Sequence, residues 1–294
     1  MTTLALLHST IRKEEKRLIR AAGKRNIDIK NIDIRKEIFN PENFNADFDL
    51  ALQRSVSTSK GTYATAFLES LGIRVINSSK INQICENKFL TSLRMIEANI
   101  PTPKFALVFE IHQAVQAVSE LGGFPVVIKP ATGSWGRLLS KINDKDSLES
   151  VLEHKSVLGS PQQKAFYIQE YIPKKGRDIR AFIIGNELIC AIYRESDHWI
   201  TNTSKGASVK NCPLTPELSD ICTRTSEAIG EGLLAVDIFE TGEGFKVNEV
   251  NHTMEFKNSE EPTGIDIAGQ IIDYCMAKAG HPMPEAFNGL ERFA

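Results

Sequence analysis

Three oxygen-bearing side chains near the end of the chain could together bind a hard divalent cation. Asp237 lies in the apolar run LLAVDIFE, Glu249 and Asn251 lie in FKVNEVN, and the turn signal ETGEG separates the two runs. Side chains alternate along a strand, so Glu249 and Asn251 would face one side about 6–7 Å apart, and a hairpin would bring Asp237 to them. This donor set favours magnesium and predicts a nucleotide triphosphate substrate. A solvated polar face is the alternative, although apolar neighbours make unpaired carboxylates costly there.

Two lysines stand where they could contact phosphates. Lys129 ends the apolar run FPVVIK and is followed by a loop that contains Gly133 and Gly136, and Lys88 opens a predicted helix. A lysine beside glycines can hold phosphate, because glycine lets backbone N–H groups approach the oxygens. The spacing differs from the G-x-x-x-x-G-K-[ST] loop, which argues against a P-loop fold. Taken alone, each lysine is equally compatible with a solvated surface position.

Polar residues within the strand-like middle of the chain extend this set. Gln169 and Glu170 interrupt the run YIQEYI and could meet an adenine edge. Asp178 and Arg180 alternate with apolar residues in GRDIRAF, and Arg194 lies in AIYRES, so guanidinium groups could bind phosphate or carboxylate. Surface ion pairing is the alternative for these arginines. The polar loop TNTSKG, residues 201–206, could contact a substrate or be a plain loop.

The elements that position these residues indicate three lobes of an α/β protein. Apolar runs at 4–8, 48–52 and 74–76 alternate with helical patterns at 13–24 and 62–71, which predicts a small, mostly parallel sheet without a G-x-G-x-x-G fingerprint. A helix at 87–98 ends at two prolines. Residues 165–252 are strand-rich and include an expected strand at HWITN, with helices at 216–230 and 265–279. The predicted lobes are 1–86, 87–165 and 166–280, followed by a tail at 281–294.

Composition excludes several classes of protein. The formal net charge of −2 predicts neither a nucleic-acid partner nor a membrane surface, and no apolar run approaches the roughly 20 residues of a membrane span. The five cysteines are scattered without a C-x-x-C pair, which is typical of structural thiols in a reducing compartment. The first residues lack the pattern of a signal peptide. We therefore expect a cytoplasmic protein.

The order of these motifs along the chain resembles that of the ATP-grasp ligases. Within them the chain is similar to the group that contains RimK, and the segments GSWGRLLSKI, FYIQEYI, GRDIRAF, HWITNT, NCPLT and NEVNHTMEFKNS resemble the LysX family. The resemblance implies an ATP-grasp fold, of class α/β (α+β), with a Rossmann-like pre-ATP-grasp lobe at the N-terminus. Nucleotide would bind between the central and C-terminal lobes.

The resemblance also implies roles for individual residues. Magnesium, as two ions, would bind Asp237, Glu249 and Asn251, and Lys129 and Arg194 would be catalytic. ATP contacts would come from Lys88, Lys129, Gly133, Ser134, Trp135, Gly136, Arg137, Leu138, Leu139, Gln169, Glu170, Tyr171, Ile172, Asp178, Arg180, Arg194 and Asn202. Substrate contacts would come from Asn202, Thr203, Asn251, Thr253, Glu255, Phe256, Lys257 and Asn258.

The implied reaction joins the α-amino group of α-aminoadipate to the γ-carboxyl of the C-terminal glutamate of LysW, a small acidic carrier protein. ATP would activate that carboxyl as an acyl phosphate, in lysine biosynthesis. Glutamate-specific relatives carry Gly-Phe where this chain has Asn258 and Ser259, which favours α-aminoadipate. Glutamate or dual specificity, in arginine biosynthesis, and a RimK-like ligase of protein tails stay open.

Relatives suggest a homodimer or homotetramer. A nucleotide-binding regulator is the alternative of another class, and the complete metal and lysine set argues against it.

Overall fold

A computed structural model describes residues 2–133, 138–160 and 164–279 of the chain. The N-terminal sheet is parallel in the order β2-β1-β3-β4. As predicted, βα units build it, although the polar edge strand β2 and the helix α3 were not expected from the sequence. The elements are β1 (Thr3–His8), α1 (Lys13–Lys24), β2 (Asp28–Asp33), β3 (Leu50–Gln53), α2 (Thr58–Ser70), β4 (Arg74–Ile76) and α3 (Ser79–Glu86).

The central sheet is antiparallel in the order β5-β8-β6-β7. Its elements, with the preceding helix, are α4 (Lys88–Glu97), β5 (Phe105–Val108), α5 (Ile111–Glu120), β6 (Val126–Pro130), β7 (Ser140–Ile142), α6 (Lys145–Leu158) and β8 (Phe166–Glu170). The predicted boundary at 165/166 places β8 in the C-terminal lobe. The strand instead pairs between β5 and β6, because its buried residues Phe166 and Ile168 complete the central core. The other lobe boundaries stay predictions.

The C-terminal sheet is antiparallel in the order β11-β10-β9-β12-β13. Its elements are β9 (Arg177–Gly185), β10 (Glu187–Glu195), β11 (Ser208–Asn211), α7 (Pro216–Ile229), β12 (Gly232–Thr241), β13 (Gly244–Asn251), α8 (Glu260–Thr263) and α9 (Ile267–Lys278). The expected strand at HWITN is wrong. Residues 197–202 are irregular and lead into a 3₁₀ turn at Thr203–Lys205. His198 and Ser196 accept backbone N–H groups there, which competes with strand pairing.

The N-terminal and C-terminal sheets share one hydrophobic core, whereas the central sheet has its own. Leu6 and Leu52 of the first sheet pack in the same cluster as Phe182 and Leu233 of the last, with α1 and α9 between them. The central cluster instead draws its members from residues 108–168. Asn77 reinforces the junction of the outer sheets by hydrogen bonds to Leu233 and to the carbonyl of His252. We therefore expect the central sheet to be the part that can move independently.

Two expectations drawn from composition can be compared with the structure. In the part of the chain that is described, no helix is long and apolar enough to cross a membrane. All five cysteines are buried free thiols, which agrees with a structural role.

Candidate active site

The two runs near the end of the chain pair as the predicted hairpin, with Asp237 on β12 directly opposite Glu249 on β13. Asn251 follows two residues later and faces the same side, opposite Ala235. Its amide nitrogen donates to the Ala235 carbonyl at 3.3 Å, which orients the amide oxygen away from the strand. Both carboxylates line one cleft, so the hairpin brings the predicted oxygen donors together.

A β-bulge in this hairpin places a further side chain in the site. Asp237 pairs with Glu249 and the next residue, Ile238, pairs with Val247, so Asn248 has no partner across the ladder. Strict alternation would direct Asn248 to the opposite face from Glu249. With the bulge, both side chains line the same cleft, while Val247 and Val250 are buried in the core below. Asn248 was not expected from the sequence, because no local signal distinguishes a bulge here from a regular strand.

Lys129 on β6 is buried and reaches across from the central sheet. Its ammonium group donates to Oδ1 of Asn248 at 2.8 Å. Burial lowers the pKa of Lys129 to about 7, and the nearby charges of Lys88 and Lys174 act in the same direction, while Glu249 opposes them. In the free protein near neutral pH this lysine is thus only partly charged, and an incoming anion would restore its charge.

Lys88 is placed by the start of α4. Asn87 caps that helix by accepting the N–H groups of Phe89 and Leu90. The ammonium group of Lys88 donates to the Gly133 carbonyl at 2.6 Å and lies 3.3 Å from Oε1 of Glu249. Gly133 has a φ of +137°, a conformation that favours glycine. Both predicted lysines therefore line the same cleft as Asp237 and Glu249.

Asp237 is held between two arginines on neighbouring strands. Arg180 on β9 lies opposite Asp237 in the sheet and donates two hydrogen bonds to its carboxylate, at 2.8 and 3.1 Å. Nη2 of Arg194 lies 3.1 Å from Oδ2 of Asp237. Burial alone would raise the pKa of Asp237, but the two guanidinium groups outweigh it and lower the pKa. The carboxylate is thus ionised and keeps lone pairs for a cation.

Arg194 is almost completely buried and forms a second bidentate pair, with Asp178, at 2.7 and 2.8 Å. Burial alone would lower its pKa, but Asp237 and Asp178 raise it above the ordinary value. Thr201 donates to Asp178, and Lys174 donates to Thr201 at 2.7 Å. Among the described residues Nη1 of Arg194 is buried without a hydrogen-bond partner, although the residue lines the cleft. That donor is available to a ligand.

The first cleft, about 720 Å³, lies between the central and C-terminal sheets. Most of the predicted nucleotide residues line it, namely Lys88, Lys129, Gly133, Leu139, Gln169, Glu170, Tyr171, Ile172, Asp178, Arg194 and Asn202. The side chains of Gln169 and Glu170 already have protein partners. Gln169 donates to the Tyr167 hydroxyl, and Glu170 accepts from the backbone of Lys104 and from Lys246. Sequence reasoning also missed Lys174, Trp199 and Phe239 as lining residues.

The second cleft, about 950 Å³, shares Gly133, Arg194, Asn202, Asp237 and Glu249 with the first. Predicted substrate residues Thr203, Asn251, Thr253 and Glu255 form one wall. The other wall comes from the N-terminal sheet and its helices through Arg12, Ser55, Val56, Thr58 and Glu86, none of which the sequence indicated. Arg12 follows β1, and Ser55, Val56 and Thr58 follow β3, at the point where the strand order reverses. Open parallel sheets bind ligands at such a point.

Several predicted residues lie elsewhere. Phe256 is fully buried in the core that joins the outer sheets and lines neither cleft. Packing draws this apolar residue inward from between its polar neighbours. Arg180 lines the second cleft and not the first, because it pairs with Asp237. Leu138 is exposed on a surface hollow beside α6. Lys257 and Asn258 line a smaller pocket of about 290 Å³ next to Arg180 and Thr203. Ser134, Trp135, Gly136 and Arg137 lie outside the described residues.

Comparison with family models decides the family. Residues 85–275 match the RimK-like ATP-grasp domain, and residues 4–84 match the LysX preATP-grasp domain. The chain belongs to the RimK-like ATP-grasp family. The expected fold class and the expected enzyme class, an ADP-forming carboxylate–amine ligase, are thereby confirmed. ATP-grasp enzymes use ATP and magnesium.

Individual relatives match over nearly their whole length. The α-aminoadipate–LysW ligase LysX of Saccharolobus solfataricus is 35% identical over 89% of this chain and 96% of its own. The glutamate–LysW ligase ArgX of Sulfurisphaera tokodaii is 32% identical over 92% of this chain and 97% of its own. Among solved structures, a RimK domain ATP-grasp protein from Sphaerobacter thermophilus is 28% identical, with a TM-score of 0.79 over 94% of this chain and 100% of that one.

The donor chemistry of the site fits magnesium. Asp237 and Glu249 supply carboxylate oxygens from facing strands, and Asn251 supplies an amide oxygen from the same face. Lys88, Lys129, Lys174 and Arg194 line the first cleft and can bind phosphate oxygens there.

Proposed function

We propose that the chain ligates the α-amino group of α-aminoadipate to the γ-carboxyl of the C-terminal glutamate of the LysW carrier protein, at the expense of ATP. The observation that carries the proposal is the junction of the two clefts at Arg194, Asp237 and Glu249. A phosphoryl group leaving a nucleotide in the first cleft would meet a carboxylate in the second at this junction. The similarity to both LysX and ArgX relatives supports LysW as the partner.

The residues of the junction suit the charge changes of this reaction. A carboxylate oxygen of the carrier attacks the γ-phosphorus of ATP, the bond to ADP breaks, and an acyl phosphate forms. The ammonium group of the amino acid then loses one proton, its nitrogen attacks the acyl carbon, and phosphate leaves with the second proton as hydrogen phosphate. Lys88, Lys129 and Arg194 neutralise the phosphoryl oxygens as they move, which is how proteins accelerate phosphoryl transfer. Magnesium, proposed as two ions on Asp237, Glu249 and Asn251, would supply further positive charge.

The preference for α-aminoadipate rests on the small pocket behind the junction. Its lining contains three cations, the carboxylate of Glu255 and the amide of Asn258, so it offers several donors to a distal carboxylate; the cations are Arg180, Arg194 and Lys257. Ser259 is buried at its base. A side chain one methylene longer than that of glutamate would extend further into this space. Specificity for glutamate, or for both amino acids, is the second candidate function, and the similarity to the ArgX relative supports it.

The experiment that tests the function is ADP release by the purified chain with magnesium, ATP and LysW, with α-aminoadipate or glutamate added, followed by mass spectrometry of LysW. A mass increase of LysW with α-aminoadipate alone would support the proposal. Adducts with both amino acids would establish a shared enzyme. Failure to modify LysW with either would refute the carrier assignment and leave protein tails that end in glutamate as the substrates to test.

We also propose a cytoplasmic homodimer or homotetramer, on the basis of the family resemblance. Light scattering of the purified chain would measure the oligomeric state directly. A monomer at micromolar concentration would contradict this part of the proposal.

A further inference from the structure

Four carboxylates line the second cleft, and three of them face a cation. Asp237 pairs with Arg180 at 2.8 Å, Glu249 with Lys88 at 3.3 Å, and Glu255 with Arg12 at 2.9 Å. Glu86, the last residue of α3, instead accepts a hydrogen bond from the Thr62 hydroxyl at 2.6 Å. Its other close neighbour is the imidazole of His252, with Nε2 at 3.7 Å from Oε1.

Neither neighbour of Glu86 is a lysine or an arginine. Among the described residues that line this cleft, Glu86 is therefore the carboxylate without a lysine or arginine partner. Burial raises the pKa of Glu86, which shows that the protein environment disfavours its charged form. A cationic ligand group in the cleft would offset that cost.

The opposite wall of the same cleft offers hydrogen-bond donors to an anion. Arg180 and Arg194 face it from the C-terminal sheet, and Nη1 of Arg194 is a buried donor without a partner among the described residues. An α-amino acid is a zwitterion, so a site for it must offer both an anion and cations. Glu86, on the wall formed by the N-terminal helices, is the carboxylate of this cleft that no lysine or arginine neutralises, so it can pair with the ammonium group.

We propose that Glu86 binds the α-ammonium group of the incoming amino acid and thereby sets the affinity of the enzyme for its amine substrate. The proposal rests on the proposed ligase function. Glu86 ends α3, a helix whose first residues precede the part of the chain that matches the ATP-grasp domain. The proposal thus gives this helix a direct part in substrate recognition. The arginine side of the cleft is left for carboxylate and acyl phosphate.

The decisive variant is Glu86→Gln, because glutamine keeps the shape and can still accept from Thr62. We expect the KM for α-aminoadipate to rise about 10- to 100-fold, the range for a lost hydrogen bond to a charged group, with kcat changed by less than about threefold. In a parallel assay hydroxylamine, an uncharged nucleophile at neutral pH, replaces the amino acid and converts the acyl phosphate of LysW to a hydroxamate. We expect the rate of hydroxamate formation to be unchanged.

The outcomes separate the two proposals. An unchanged KM for α-aminoadipate, or a fall in hydroxamate formation that parallels the fall in ligation, would overturn the role of Glu86. If the unaltered enzyme formed no hydroxamate on LysW, the ligase function itself would be refuted, and the role of Glu86 with it. Glu69→Gln is the matched control, since Glu69 is also a buried glutamate that accepts a hydrogen bond, from Ser79, but it lies outside both clefts. Its kinetics should stay unchanged.

Discussion

Asp237 and Glu249 face each other across one hairpin, yet their surroundings differ. Asp237 is 3% exposed and neutralises two arginines, whereas the side chain of Glu249 is 21% exposed and has Lys88 at 3.3 Å. Both are candidates for the same magnesium site. Removing either charge should therefore impair catalysis to a similar extent, but the two losses should lower the stability of the fold by different amounts.

We predict that Asp237→Asn and Glu249→Gln both abolish ligation, but that only Asp237→Asn strongly destabilises the fold. Loss of the buried charge leaves Arg180 and Arg194 without full compensation, which costs about 3–5 kcal/mol of the free energy of unfolding. The more exposed pair of Glu249 should cost less than about 1 kcal/mol. Urea unfolding measures the difference, and ADP release measures the activity. Equal stability of the two variants would contradict the arginine clamp on Asp237.

Lys129 predicts a pH dependence of nucleotide binding. Its pKa is lowered from 10.5 to about 7 in the free protein, so it is mostly neutral at pH 8, and phosphate oxygens favour its charged form. Binding of magnesium–ATP at pH 8 should therefore take up close to one proton. At pH 6 Lys129 is already charged and the uptake should be small. Calorimetric titration in two buffers of different ionisation enthalpy measures the number of protons.

Lys129→Arg is the control for this effect. The guanidinium group keeps the positive charge but does not titrate in this range. Nucleotide binding by the variant should show no proton uptake at pH 8. Uptake that persists in this variant would assign the proton to another group.

At the scale of elements, the bulge at Asn248 determines which residues of β13 face the cleft. It lets Val247 and Val250, three positions apart, both reach the core while Glu249 and Asn251 reach the cleft. Deletion of Asn248 would leave Val247 opposite Ile238 and Glu249 opposite Asp237, so the hairpin should still form. The bend of the strand and the acceptor of Lys129 would both be lost.

We expect deletion of Asn248 to reduce ligation about 100-fold, the effect of a displacement of roughly 1 Å in a catalytic group. Asn248→Ala keeps the extra residue and loses only the contact with Lys129, so its loss should be about tenfold. Circular dichroism should show a folded protein in both cases. Equal activity of the two variants would mean that the bulge geometry does not matter for catalysis.

These elements also show what the sequence could predict. The hairpin follows from apolar alternation around a glycine turn, and that was sufficient to bring Asp237, Glu249 and Asn251 together. A bulge has no such signal, so Asn248 was missed. Packing, which depends on distant residues, drew Phe256 into the core. Glu86 and Arg12 reach the second cleft only through the tertiary arrangement of the sheets, and no motif at their positions indicates this.

For the whole molecule, the second cleft exists only while the N-terminal and C-terminal sheets stay joined. Their common core supplies most of the contact, and Asn77 adds three buried hydrogen bonds to the backbone of Leu233 and His252. A Cβ atom at Gly232 would lie 2.3 Å from the Asn77 amide oxygen, so the Asn77 side chain packs directly against the backbone of Gly232. Asn77 thereby fixes the wall that holds Glu86 relative to the wall that holds Asp237.

We predict that Asn77→Ala lowers the free energy of unfolding by about 3 kcal/mol, since the buried backbone groups lose their partners. It should also raise the KM for the amino acid, because the two walls of the second cleft become less well aligned, while the affinity for ATP in the first cleft stays nearly unchanged.

Asn82→Ala is the matched control: Asn82 is also fully buried in this region, but among the described residues its amide atoms have no hydrogen-bond partner. Its removal should cost less than about 1 kcal/mol and leave both constants unaltered. An equal loss of stability in the two variants would show that side-chain volume, and not the hydrogen bonds of Asn77, holds the outer sheets together.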